Sequence, residues 1–147
     1  MTTVNQMLKQ KGKTVWTVTP DTSVHEALIT MAEKKIGAVL VMEGDHITGI
    51  LSERDVAREL SKLETFSLKT PVQKIMTKAV FYISPDVTVE ECMALMSEKH
   101  IRHLPVVEGG KLVGIISIGD VVKATIAAKD ITIRSLENYI MGIGYNK

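Results

Sequence analysis

Thr17–Ala57 reads TVTPDTSVHEALITMAEKKIGAVLVMEGDHITGILSERDVA, and Tyr82–Val122 reads YISPDVTVEECMALMSEKHIRHLPVVEGGKLVGIISIGDVV. Laid over one another at a constant offset of 65 residues (Tyr82 on Thr17), the two stretches need no gap. About 16 of the 41 positions are identical, where chance gives roughly two or three. They include Pro20/Pro85, Asp21/Asp86, Met31/Met96, Ile36/Ile101, Gly49/Gly114, Ser52/Ser117 and Asp55/Asp120. The chain is an internal duplication, and its fold must be built from two copies of one unit.

Each copy predicts the same local structure. Val15–Val18 and Val80–Ile83 are short β-rich runs that end in a Pro-Asp turn. Ser23-Val-His-Glu26 and Thr88-Val-Glu-Glu91 are capping boxes, with a hydroxyl at the N-cap and a carboxylate three residues on. Each starts a helix, with Val24, Leu28 and Met31 on one face and Val89, Met93 and Met96 on its counterpart. Two apolar strands follow around a glycine turn: Ala38–Met42 and Ile47–Leu51 about Gly44-Asp45, then His103–Val107 and Leu112–Ile116 about Gly109-Gly110. A second helix begins at Ser52 and at Ser117. The unit is β-α-β-β-α, and because one unit leaves an apolar face bare, the two copies are expected to pack together.

The flanks complete the organisation. Lys62–Pro71 is a polar linker, and Pro71 is expected at the first position of a short helix, Val72–Met76, capped by Thr70. Val4–Gln10 stands in the equivalent place before the first copy, and Ile131–Ile143 is expected to form a further amphipathic helix with Ile133, Leu136 and Ile140 aligned. The expected divisions are residues 1–62 (first repeat with an N-terminal helix), 63–71 (linker), 72–128 (second repeat) and 129–147 (helical extension). The expected class is α/β (α+β), two pseudo-twofold-related repeats packed through their sheets.

Composition narrows the function. Hydrophobic residues make up 45% and charged residues 24% of 147 residues, the balance of a globular protein rather than a disordered one. A net charge of +1 provides no bulk field for nucleic acid or an anionic membrane. The single cysteine, Cys92, excludes an internal disulfide and reads as a buried thiol on a helix. No apolar run reaches the roughly 18 residues of a membrane span, and Met1–Lys13 lacks the apolar core of a secretory signal, so a cytoplasmic location is expected. His25, His46, His100 and His103 do not pair at i, i+4 on one helix, which disfavours a zinc-protease site.

Gly49-Ile-Leu-Ser-Glu-Arg-Asp55 and Gly114-Ile-Ile-Ser-Ile-Gly-Asp120 both fit the pattern glycine, two apolar residues, Ser or Thr, two variable residues, Asp. With Ile101-Arg-His-Leu-Pro-Val-Val107 and the doubled β-α-β-β-α order, Val4 to Thr125 resembles the CBS-domain pair, or Bateman module. The resemblance implies two clefts able to hold an adenosine-containing ligand: AMP, ADP, ATP, NAD or S-adenosylmethionine. It also implies a disc-shaped homodimer and a regulatory output to a separate partner.

The residues themselves leave choices open. Ser52-x-x-Asp55 and Ser117-x-x-Asp120 resemble helix caps, yet a carboxylate in a first helical turn at a cleft mouth can also accept both ribose hydroxyls. Arg102 and His103 stand where the family often places phosphate-binding residues. The first repeat has Gly37 and Ala38 there, so the two clefts are expected to be unequal, with Arg54 compensating in part where the second repeat has Gly119. Trp16 and Phe81 match one another and, from the residues alone, read as core. The resemblance instead places the backbone around them, with Thr19, Ser84, Ile36 and Ile101, along the adenine pocket. Lys34, Lys35, Lys99 and His100 are explained by the helix dipole.

Three functional classes compete. A nucleotide-binding module explains the duplicated Ser-x-x-Asp and the Arg-His pair. A purely structural homodimerisation module explains the repeat but not the polar cleft residues. An enzyme needs a nucleophile with its base, or a metal cluster, and every candidate Ser, His and Asp already has an explanation in the repeat. The first is the expectation: no catalytic residue, no metal, and an adenine nucleotide as ligand.

Overall fold

The computed structural model describes residues 1–62, 66–129, 136 and 139. Apart from Leu136 and Tyr139, the helix expected over Ile131–Ile143 lies outside them. The element order is α1 (Val4–Lys11), β1 (Thr17–Val18), α2 (Val24–Lys34), β2 (Ala38–Glu43), β3 (His46–Ser52), α3 (Glu53–Leu60), a 3₁₀ turn (Val72–Lys74), α4 (Val89–Lys99), β4 (His103–Glu108), β5 (Lys111–Ser117) and α5 (Ile118–Lys129). The duplicated mixed α/β unit is therefore present. No described helix is long and apolar enough to cross a membrane.

In the first repeat β1 pairs parallel with β2, and β2 antiparallel with β3. In the second, β4 and β5 form the hairpin, and the leading strand shrinks to one parallel bridge between Ile83 and Val106. Both hairpins carry a register shift at the same place, between Val41 and Met42 and between Val106 and Val107. Gly44, Gly109 and Gly110 take positive φ in the turns, which a side chain would strain.

Thr88 forms the expected reciprocal capping box with Glu91, and the Ser23 hydroxyl accepts from the Glu26 amide. The most deeply buried stripe is Val24, Ala27 and Met31 on α2, matched by Val89, Cys92 and Met96 on α4. Leu28 and Met93, expected on the same faces, are only partly buried and pack against these cores. Burial first, then the Glu91 charge, pushes the Cys92 thiol up to about 11, so it stays protonated and inert. Both helices end on a non-glycine residue in the left-handed region, Lys35 (φ 56°) and His100 (φ 55°). Pro71 differs from expectation. It is the N-cap of a 3₁₀ turn rather than the first residue of a helix, and no side chain caps that turn.

The leading segments cross over. α1 precedes the first repeat in sequence, but Val4, Met7 and Leu8 are buried in the core of the second, with Cys92, Met96, Leu104 and Ile116. The Val4 and Asn5 amides donate to the carbonyls of Val87 and Pro85. Reciprocally, Val72 is buried in the first core, with Ile75 and Met76 packed against it, and its amide donates to the Thr22 carbonyl. Each repeat's bare face is covered by the segment leading into the other. That exchange brings residues distant in sequence to one cleft.

Candidate functional site

The cleft has a volume of about 270 Å³ and draws on both repeats. Ser52, Glu53, Arg54, Asp55 and Arg58 come from the β3–α3 junction of the first repeat. Thr77, Ala79, Val80 and Phe81 come from the segment after the 3₁₀ turn, and His100–His103 from the α4–β4 junction. Gly37 and Ile50 complete the lining.

Asp55 is its anchor, and it is 3% exposed rather than open at the mouth as the sequence suggested. Its Oδ2 accepts from the Ser52 amide (2.9 Å) and the Ser52 hydroxyl (3.1 Å), and the Asp55 amide donates back to Ser52 Oγ (3.3 Å). Its Oδ1 accepts from the Thr77 hydroxyl (3.2 Å) and lies 3.3 Å from an Arg58 guanidinium nitrogen. Ser-x-x-Asp is thus a capping box, and its acid also faces the cleft. All four lone-pair directions of the carboxylate are engaged. One of the four partners is a backbone amide and two are hydroxyls, while the fourth, the Arg58 side chain, is 60% exposed.

Arg54, Arg58 and Arg102 supply three permanent positive charges against Glu53 and Asp55. The sequence placed Arg54 and Arg102 in opposite clefts, one compensating for the other, and the crossed packing corrects this by putting both in one. His103 is harder to protonate than an ordinary histidine. Burial is the main cause, with Lys11 and Arg102 acting in the same direction and Asp120 opposing.

The aromatic pair is not core. Trp16 and Phe81 are 40% and 41% exposed, and each ring carries the lysine at the end of the helix that follows it. Lys34 Nζ sits 4.2 Å from the Trp16 centroid and Lys99 Nζ 5.4 Å from that of Phe81. Phe81 and Ile101 form the apolar wall with Ala79 and Val80. Thr19 lies elsewhere, its hydroxyl donating to Asp21 (2.8 Å) in the turn after β1. Ser84 is exposed in the matching turn, and Ile36 packs against the first core. Trp16, Thr19, Ile36, Ser84, Ser117 and Asp120 do not line this cleft.

Ser117 and Asp120 repeat the capping geometry: Asp120 Oδ2 accepts from the Ser117 amide (2.8 Å) and hydroxyl (3.0 Å). Here the further partner is Lys11, whose Nζ lies 2.6 Å from the same oxygen. Burial works to raise the Asp120 carboxyl, but the Lys11 and Ser117 hydrogen bonds and the Lys11 charge outweigh it and hold it below the usual carboxylate range. Sequence reading missed Thr77, Ala79, Val80, Arg58 and Lys11. Arg58 was accessible as the i+3 partner of Asp55 on one helix face. The others required the crossed packing.

The fold and cleft define a tandem α/β repeat module whose two halves share a concave site. The chain belongs to the CBS-domain family, whose model matches twice, over residues 12–62 and 72–127. It is similar to a CBS-domain protein of Burkholderia ambifaria MC40-6, at 52% identity and a TM-score of 0.84, covering 90% of this chain and 99% of that one. The mitochondrial CBS domain-containing protein CBSX3 of Arabidopsis thaliana is 34% identical over 154 residues, 98% of this chain and 74% of that protein. The structure of CBSX2 in complex with AMP is 31% identical with a TM-score of 0.70, covering 88% of this chain and 99% of that one.

Proposed function

We propose that the chain is a non-catalytic regulatory module that binds an adenine nucleotide in the Asp55 cleft and passes its occupancy to a separate partner. The observation that carries this is the meeting in one cleft of a capped carboxylate, an apolar wall and three arginines. Arg58 swings off Asp55 Oδ1, and the vacated oxygen accepts a ribose hydroxyl. Adenine packs on Phe81 and Ile101, where apolar lining and backbone groups select it by shape. Arg54, Arg58 and Arg102 then face the phosphate, which their planar forks suit. The AMP held by the related CBSX2 supports this ligand class.

A thermal-shift screen against AMP, ADP, ATP, NAD and S-adenosylmethionine tests the reading. Ligand at a hundredfold over Kd adds about 2.7 kcal/mol of stability, and Asp55→Asn should abolish the gain. No shift with any of them favours the alternative, a structural homodimerisation module. One surface supports a homodimer under either reading: Ile118, Val122 and Ile126 form an exposed apolar stripe along α5, at 40%, 47% and 41% exposure.

A further inference from the structure

The two repeats make the same backbone contact at the start of their second helices and carry different side chains on it. The Glu53 amide donates to the Gly37 carbonyl at 3.0 Å, and the Ile118 amide donates to the Arg102 carbonyl at 2.8 Å. At the offset of 65, Glu53 falls on Ile118 and Gly37 on Arg102. The second pair joins an arginine to an apolar residue. The first joins a bare backbone to a carboxylate.

Gly37 has no positive φ, so its backbone conformation does not call for glycine. The space around it does. A Cβ there would lie 3.2 Å from Glu53 Oε1, and 3.6 and 3.7 Å from Cε1 and Nε2 of the His103 ring. The absent side chain leaves room for a carboxylate of the first repeat and an imidazole of the second to come together over one peptide. Both line the Asp55 cleft, as do Arg54 and Arg102, their neighbours in the chain. Glu53 therefore stands among the groups that would face a phosphate, and not on the Phe81–Ile101 wall.

We propose that Glu53, seated over Gly37, sets how much phosphate the cleft accepts, favouring an adenosine ligand with one phosphate over one with two or three. This rests on the nucleotide reading of the Asp55 cleft. The three arginines set against Glu53 and Asp55 leave the cleft a net charge of +1 while its histidines are neutral. Burial, the main cause, makes His103 slow to offset Glu53 by gaining a proton. A phosphomonoester brings about −1.5 to −2 at pH 7, so AMP already exceeds that charge. Each further phosphate adds an anion near a carboxylate, with no cation left to match it. At a separation of about 8 Å, in an effective dielectric between those of a protein surface and water, one such repulsion lowers affinity about 2- to 30-fold.

Calorimetric titration of the full chain with AMP, ADP and ATP in magnesium-free buffer, beside Glu53→Gln, tests this. Parent affinity should fall along that series. In Glu53→Gln the ADP-to-AMP affinity ratio should rise about 2- to 30-fold and the ATP-to-AMP ratio further. Both rises should shrink in 1 M salt, where the screening length is about 3 Å. Glu53 is also an acid in the first turn of α3, but its effect on the helix is the same whichever ligand is bound and cancels in the ratios. Glu53→Ile, which copies the aligned Ile118, repeats the measurement should the glutamine variant fold poorly. ATP bound as tightly as AMP by the parent, ratios unchanged in Glu53→Gln, or a rise that salt leaves intact would each overturn the proposal. Binding of none of the three by either protein would overturn the nucleotide reading along with it.

Discussion

Gly114→Ala, made alone and in a Leu8→Ala background, separates crossed packing of α1 from docking on its own repeat. A Cβ at Gly114 would lie 2.6 Å from Leu8 Cδ2 and 3.0 Å from Cδ1. Carbon atoms prefer about 3.5–4.0 Å, so the buried Leu8 side chain, or the helix that carries it, must shift by roughly 1 Å. Overpacking of this kind costs about 1–3 kcal/mol. Leu8 is 1% exposed, and Leu8→Ala should cost about 2–5 kcal/mol. With Leu8 truncated, the new methyl enters the space its side chain has left. It gains about 0.8 kcal/mol of burial, and losing a glycine from a strand gains about 0.5–1 kcal/mol more. Gly114→Ala should therefore destabilise the parent but be neutral or stabilising in Leu8→Ala, a coupling of about 1–3 kcal/mol. Urea unfolding of the four proteins reads it, with a slope of about 1–3 kcal/mol per molar and midpoints shifting accordingly. Costs that add to within about 0.5 kcal/mol would refute the reasoning, since they would mean that Leu8 and Gly114 do not touch.

Gly49→Ala should be costlier than Gly114→Ala and less easily rescued, because its Cβ would meet the Thr77 carbonyl oxygen at 3.0 Å as well as the flexible Met76 side chain; Met76→Ala should recover only part of the loss. Arg102→Ala should weaken AMP binding by about 1.5–3 kcal/mol while sparing adenosine, measured by calorimetry on each ligand. His103 resists protonation in the folded chain, so stability should fall as pH drops below about 6.5 towards its lowered value, and His103→Gln should flatten that limb in a pH series of melts. Asp120 acts at lower pH: its depressed value contributes stability that is present above about 3.9 and lost as pH falls through the folded value, and Lys11→Met should shrink it. Light scattering should give a dimer of about 32 kDa, twice 16.2 kDa, and a charge on the α5 stripe (Val122→Glu) should return a monomer.

The duplication made the repeat unit legible. Gapless identity fixes equivalence, capping boxes fix helix starts, and glycine turns between apolar runs fix hairpins. Cys92 as a buried thiol was legible for the same reason. Partnership between repeats was not. Val4–Lys11 and Val72–Lys74 read identically whichever core they enter, since an amphipathic turn specifies that it will be covered and not by what. From that one ambiguity came the pairing of Arg102 with the wrong aspartate. The aromatic pair failed differently. Trp16 and Phe81 have core-like composition, but each sits at a repeat junction where a lysine amine covers its face, an arrangement set by tertiary placement alone.

The inequality of the two halves follows from helix termination more than from cleft composition. The three arginines lining the Asp55 cleft come from three positions, and Arg102 and Arg54 each match a glycine in the other repeat. The stronger asymmetry comes from a helix in one leading segment where the other has a 3₁₀ turn. The Thr3–Gln6 capping box and the Gly12 stop commit Val4–Lys11 to two full turns, while Pro71 denies an amide to its counterpart. A helix that ends two aligned positions later changes which atom arrives at the strand edge: the Thr77 backbone and hydroxyl in one half, the Lys11 ammonium in the other. A duplicated gene can thus keep both Ser-x-x-Asp motifs intact and still surround the two acids differently, with Thr77 and Arg58 at Asp55 and Lys11 at Asp120.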